Sequence, residues 1–238
     1  MARSATGNLT EQVVQSLGRS IVSGEYPTLA VFQIADLCTQ FKASRTVMRE
    51  AVKTLTAKGL VTSRASVGSI VQGERNWNLS DPDVLDWFLH VKGNTIPLIR
   101  EFIDFRMEIE PGAAALAAER GDAQAIAAIF KALERMRAAE QGEDHALDAD
   151  VDFHVAILHA SGNRFFINMR HTIDVALHIS IRVTNRTKGV TLASIADHAR
   201  IADAIQAGDA KGARRAMRDL LSEAQKLLTG PVKLPSDI

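Results

Sequence analysis

The chain has one cysteine in 238 residues, Cys38, so no intramolecular disulfide can staple it. It has no apolar run near the length a membrane span requires, and its first residues carry no charged-then-apolar leader pattern. These absences point to a cytoplasmic protein with no membrane partner. Neither sign of charge is in excess: 28 Lys and Arg balance 28 Asp and Glu, so net charge by itself says nothing about nucleic acid. Common catalytic signatures are missing too, with no glycine-rich phosphate loop, no nucleophile elbow and no HExxH pair.

The length exceeds that of an ordinary single domain, and charge is unevenly placed along it. Residues 1–75 carry nine basic side chains against five acidic, and the remainder nineteen against twenty-three. A basic head on an acidic body suits a DNA-binding module joined to something else.

In the head, Val13, Val14, Leu17, Ile21 and Val22 recur at helical spacing, with Thr10 placed as an N-cap and Gly24 as a stop. Ile34, Leu37, Cys38 and Phe41 share a face of a second short helix. Ser44 can cap a third, with Val47, Met48, Ala51, Val52 and Leu55 on its apolar side and an end near Lys58-Gly59. Leu60-Val61 and Ile70-Val71 are β-prone pairs around a polar turn of hairpin length. Three helices and a hairpin in this order make a winged helix-turn-helix. A polar stretch broken by Gly and Pro, residues 72–82, reads as a linker, with Trp77 and Trp87 packing at an interdomain seam.

From Val84 onward the chain reads as helix after helix, approximately 84–91, 95–120, 123–140, 146–160, 164–185, 192–206 and 210–228. Gly121-Asp122 and Gly208-Asp209 are placed as a left-handed stop followed by an N-cap. The expected fold is mainly α: an N-terminal winged helix-turn-helix and a C-terminal all-α antiparallel bundle.

On the third helix Arg45, Arg49 and Lys53 fall at four-residue intervals, with Thr46 beside them, opposite the apolar face. Such a helix can be held from behind while its arginines reach guanine edges or phosphates. Arg64 near the hairpin tip would reach a neighbouring phosphate or the minor groove. The run from Ala43-Ser44-Arg45 through Arg49-Glu50-Ala51 to Gly59-Leu60-Val61, with a wing ending Gly68-Ser69-Ile70-Val71, resembles the GntR family of bacterial regulators. The resemblance implies operator contacts from Arg45, Arg49 and Arg64, and assigns Ser44, Thr46, Lys53, Ser66 and Gly68 to the same surface. Two departures stand out. The family's usual LPSE lead into the second helix is Val31-Phe32-Gln33-Ile34, and the first glycine of the wing tip is Ser66.

In the body, Asp150 and His154 stand four apart on an otherwise apolar stripe, and His198 shares its face with Ile201 and Ile205. Inward carboxylate and imidazole groups need partners, which a divalent metal or one another can supply. Phe105-Arg106 through Glu110-Pro111, Asp150-x-x-x-His154, Ser161-Gly162-Asn163 and the segment from His198 to Asp209 resemble the FCD ligand-binding domain of the FadR-like branch of that family. The resemblance implies a zinc or nickel ion on Asp150, His154 and His198. The fourth ligand position is Leu220, which has no donor atom, so water or an effector carboxylate would complete the set.

Arg106 could present a planar fork to a carboxylate effector, or pair with Glu110 one turn later. Asn163, His178 and Arg182 are further effector-binding candidates, with Asn185 beside them, and are equally consistent with a solvated face. The expected domains are 1–72 winged helix-turn-helix, 73–94 linker and connecting helix, and 95–230 effector binding and dimerisation. The function read from these residues is a homodimeric regulator that leaves operator DNA when a small carboxylate such as a sugar acid binds; the linker is similar to that of family members responding to such acids. A second reading is a small metal-dependent hydrolase or isomerase using Asp150, His154 and His198. A purely structural adaptor would leave the Arg45/Arg49/Lys53 face unexplained.

Overall fold

Local periodicity and tertiary packing agree through most of the head. In the computed structural model, which describes residues 5–64, 66–91, 95–189, 193–230 and 232, the chain divides into two compact units, Met1–Val91 and Lys92–Ile238. Ala65 of the expected wing, residues 92–94 of the expected linker and Leu192 at an expected helix start lie outside the described residues.

In the first unit α1 (Ala5–Val22), α2 (Ile34–Phe41) and α3 (Arg45–Ala57) enclose an apolar core in which Val14, Leu17 and Ile21 meet Met48, Ala51 and Leu55. Helix α1 begins at Ala5, so Thr10 lies inside it rather than at its N-cap, although the apolar face keeps its register. Ser44 does cap α3, its side chain accepting a hydrogen bond from the Val47 N–H. Strands β2 (Val61–Arg64) and β3 (Gly68–Val71) form the wing hairpin, and a third strand, β1 (Val31–Phe32), pairs antiparallel with β3 through Val31↔Ile70 and Phe32↔Ser69. A two-residue strand has too little alternation to show in a sequence pattern.

The expected linker is a packed part of the first unit. Gly59 has φ +79°, and a Cβ there would run into the Asn76 carbonyl, so the polar segment lies directly against the end of α3. Helix α4 (Pro82–Leu89), expected over 84–91, starts two residues early because Asp81 caps it and Pro82 opens its first turn. Trp87 is fully buried over Gly18 of α1, where a Cβ would occupy the indole, and Trp77 packs edge-on against Phe88. Both tryptophans pack with the core of the first unit. Lys58, at the end of α3, is 8% exposed and joins Asp81 and Asp83 at 2.7 and 2.8 Å. Burial works against the Lys58 charge, but the two carboxylates raise its pKa above the usual lysine value, and Asp83 is held below the usual carboxylate range.

The second unit is helical throughout its described residues: α5 (Thr95–Arg120), α6 (Ala123–Glu140), α7 (Ala146–Ala160), α8 (Arg164–Asn168), α9 (Arg170–Lys188), α10 (Ile195–Gln206) and α11 (Ala210–Leu227). Gly121 and Gly208 adopt left-handed φ, and the Asp after each accepts a helix N–H, as the Gly-Asp pairs predict. The single helix expected over 164–185 is two. At Met169 the N–H bonds to the Phe166 carbonyl three residues back, which interrupts the regular ladder between α8 and α9. Helices α5 and α11 pack along each other, α6 lies on α7, and α10 touches α5, α6 and α11. No helix among the described residues is long and apolar enough to cross a membrane.

Candidate functional site

Two places in the molecule gather chemistry-bearing side chains. On the first unit, Arg45, Thr46, Arg49 and Lys53 are all exposed along α3, while Val47, Met48, Ala51, Val52 and Leu55 of the same helix are buried. The exposed side borders a groove lined by Arg49, Lys53, Arg64, Ser66 and Gly68, so the helix and the wing present their cations to one space. Lys53 has one weak surface ion pair, with Glu50 at 3.9 Å. Ser66 takes a left-handed φ of +64° at the wing tip, the conformation that the glycine of the family pattern supplies without cost.

Gln33 was read only as a departure from that pattern. Its backbone starts α2 without a side-chain cap, and its amide Nε2 instead donates to the Val67 carbonyl at 2.6 Å, tying α2 to the wing. The sequence holds no sign of this bond, because its partners belong to separate elements.

On the second unit, α5, α7, α9, α10 and α11 line a half-open cavity with about 80 Å³ of interior space. Asp150 and His154 on α7 and His198 on α10 line it, all three buried, with one ligand atom of each lying within 4.8 Å of the others. The Nε2 atoms of both rings face Asp150 Oδ1, at 3.1 Å from His198 and 3.4 Å from His154. The Nδ1 atoms are engaged elsewhere: His198 Nδ1 lies 2.8 Å from the Ser194 carbonyl and His154 Nδ1 2.7 Å from Glu110 Oε2. Anchoring Nδ1 leaves Nε2 to serve one shared point, the arrangement that holds imidazole ligands around a cation, so the donor set fits a divalent ion. Leu220 also lines the cavity and offers no donor.

Glu110, buried on α5, was read from the sequence only as a partner for Arg106. It holds both neighbours: Arg106 Nε donates to Glu110 Oε1 at 2.5 Å, while its other oxygen faces His154. Burial acts to raise the Glu110 carboxyl, but Arg106 and His154 outweigh it and hold the pKa down to about 2. Asp150 is likewise kept well below the usual carboxylate range, with burial opposed by His198 and His154. His154 moves above the ordinary imidazole value: burial lowers it, and facing Glu110 overcomes that.

Arg106 therefore realises the ion-pair alternative, although it does line the cavity. The other expected effector contacts do not join it there. Asn163 caps α8 by accepting from the Phe165 N–H, His178 lies beside Asp148 and Asp174, and Arg182 is exposed, none of them on the cavity wall. A polar residue on a helix has the same spacing whether it faces a pocket or solvent. Asn185, one turn beyond Arg182, is the residue of that face that reaches the cavity.

Comparison with known proteins agrees with both halves. Residues 9–71 match the model of the bacterial regulatory proteins of the gntR family, and residues 101–223 match the FCD domain. The chain belongs to the GntR family of bacterial transcriptional regulators, with an FCD effector-binding domain, and the family consists of regulators rather than enzymes. It is 32% identical to the HTH-type transcriptional regulator YieP of Escherichia coli K12 over 93% of this chain and 96% of that one. It is 36% identical to the galactonate operon transcriptional repressor of the same organism over 66% and 69%, and 30% identical to its putative L-lactate dehydrogenase operon regulatory protein over 78% and 72%. The fold is similar to that of a Streptococcus agalactiae GntR protein, with a TM-score of 0.51 at 22% identity over 91% of this chain and 99% of that one. It is similar also to the Lar regulator of Listeria monocytogenes, with a TM-score of 0.57 at 18% identity over 96% and 98%.

Proposed function

We propose that the protein is a cytoplasmic homodimeric repressor of an operon for hydroxy-acid or sugar-acid catabolism, released from its operator when a 2-hydroxycarboxylate enters the cavity of the second unit. The observation that carries this reading is the convergence of Asp150, His154, His198 and Arg106 on one cavity in the domain that the family uses for effectors. Two relatives are named for the galactonate and L-lactate dehydrogenase operons, and both anions are 2-hydroxycarboxylates.

Arg45, Arg49, Lys53 and Arg64 serve operator DNA, the helix arginines at base edges and the wing at the backbone or minor groove. Ser44 holds the start of the recognition helix, and Ser66 and Gly68 shape the wing tip. Asp150, His154 and His198 would hold a divalent cation, zinc or nickel; when bound, it supplies a Lewis-acidic point charge for a carboxylate. Glu110 orients His154 and neutralises Arg106, so that two positive groups can share one pocket. Release is linkage: an effector that binds the operator-free state better lowers DNA affinity by that difference. Dimerisation doubles the base contacts that one head can make.

The test is a gel-shift titration of the purified protein against the region upstream of its own gene, with zinc present. Retardation that lactate or galactonate reverses supports the proposal. No retardation even at low salt would overturn it.

A further inference from the structure

We infer that the acid this cavity accepts is short and single-headed, a 2-hydroxy acid of three or four carbons with an alkyl end, rather than a polyhydroxylated sugar acid. The inference rests on the reading of the cavity as the effector site and narrows it. Size is the first observation. A water needs roughly 10–15 Å³ of such space, so about 80 Å³ takes a carboxylate, its neighbouring hydroxyl and a short tail, and a six-carbon chain would extend out of it.

Chemistry is the second. The donors for a carboxylate and its neighbouring hydroxyl, Asp150, His154 and His198, lie on α7 and α10. On the side contributed by α11, Leu220, Ala224 and Leu227 offer no hydrogen bond, and Glu223 is the charged group among them. Arg106 and Asn185 also line the cavity, and several of the other polar groups around it are engaged within the protein. Thr184 donates its hydroxyl to the Ser180 carbonyl, Ser194 accepts from the Asp197 N–H, Asp197 holds Arg200, and Lys188 faces Glu223 at 4.0 Å. Extra hydroxyls turned toward Leu220, Ala224 and Leu227 would meet methyl groups. Each buried hydroxyl without a partner weakens binding about tenfold.

The test is isothermal titration of the zinc-loaded full chain with four probes: lactate, 2-hydroxybutyrate, glycerate and gluconate. 2-Hydroxybutyrate and glycerate have the same size and differ by a methyl for a hydroxyl at the far end, so this pair isolates the α11 wall. The expected result is 2-hydroxybutyrate at least tenfold tighter than glycerate, lactate binding measurably, and gluconate not at all. Leu220→Ser should shrink or invert the preference, and Ala224→Ser, a milder change, should shrink it if Leu220→Ser does not fold. Glycerate or gluconate binding as tightly as 2-hydroxybutyrate overturns the inference and leaves the effector-site reading intact. A preference unmoved in every folded variant shows that the α11 wall does not select, which also overturns it. If none of the four acids binds, the reading of the cavity as the effector site fails, and this inference with it.

Discussion

Arg49 and Arg106 each lie on a helix with one apolar face, yet Arg49 is exposed and Arg106 is 3% exposed. The head keeps Arg45, Arg49, Lys53 and Arg64 outside its core, where they cost the fold little and can meet a partner that brings the opposite charge. The body keeps Arg106, Glu110, Asp150, His154 and His198 inside, and each is paired with another of the set. Substitutions of the exposed cations should therefore spare stability, whereas substitutions in the buried network should not.

The sharpest test of that contrast is Glu110→Ala. It leaves a guanidinium and an imidazole buried without their carboxylate, and should cost about 3–5 kcal/mol in urea unfolding. A loss under 1 kcal/mol would show that water or relaxation replaces Glu110. The same residue has a pH signature. Its folded pKa of about 2 lies below the ordinary 4.5, so the stability it contributes is present above pH 4.5 and lost as pH falls toward 2. Wild-type unfolding free energy should therefore drop across that window, and the drop should be smaller in Glu110→Gln.

Zinc at about a hundredfold excess over its dissociation constant should stabilise the protein by about 2.7 kcal/mol, read as a thermal shift that chelator reverses. The shift should disappear in His198→Ala and persist in Arg49→Ala. Operator binding should behave in the opposite sense. Arg49→Ala should weaken it by about 1–3 kcal/mol while moving the unfolding free energy by no more than about 0.5 kcal/mol. A large stability loss in Arg49→Ala would break the contrast from the side of the head. The smallest expected effect is at Ser44, which is exposed yet caps α3. Ser44→Ala should lower stability by about 1 kcal/mol and weaken DNA binding as the start of the recognition helix frays.

The same contrast explains what could be read in advance. The residues proposed to face DNA follow the helical repeat, since Arg45, Arg49 and Lys53 need only be outside when Met48, Ala51 and Leu55 are inside. The inward placement of Asp150, His154 and His198, the proposed metal donors, was legible for the complementary reason, these being polar groups on apolar stripes. Glu110 was seen as a neighbour of Arg106 along its own helix, but its hold on His154 crosses between helices and leaves no trace in spacing. Asn163, His178 and Arg182 were drawn into the site because a polar helix face reads alike toward water and toward a pocket. That Trp87 packs over Gly18 of α1 is likewise set between elements and leaves no mark in local spacing.

The sequence by itself determined the basic outer face of α3 in the head and the inward charges on the apolar stripes of α7 and α10 in the body. It also set the order of elements and the Gly-Asp punctuation between several of them. Those are properties of neighbours along the chain, governed by propensity and period. Only the tertiary structure decided that Asp150 meets His198, 48 residues away, that Glu110 serves two partners, and that the segment after the wing packs into the first unit. Such pairings depend on which helix lies against which, and that is settled by how the whole set of apolar faces can be buried together.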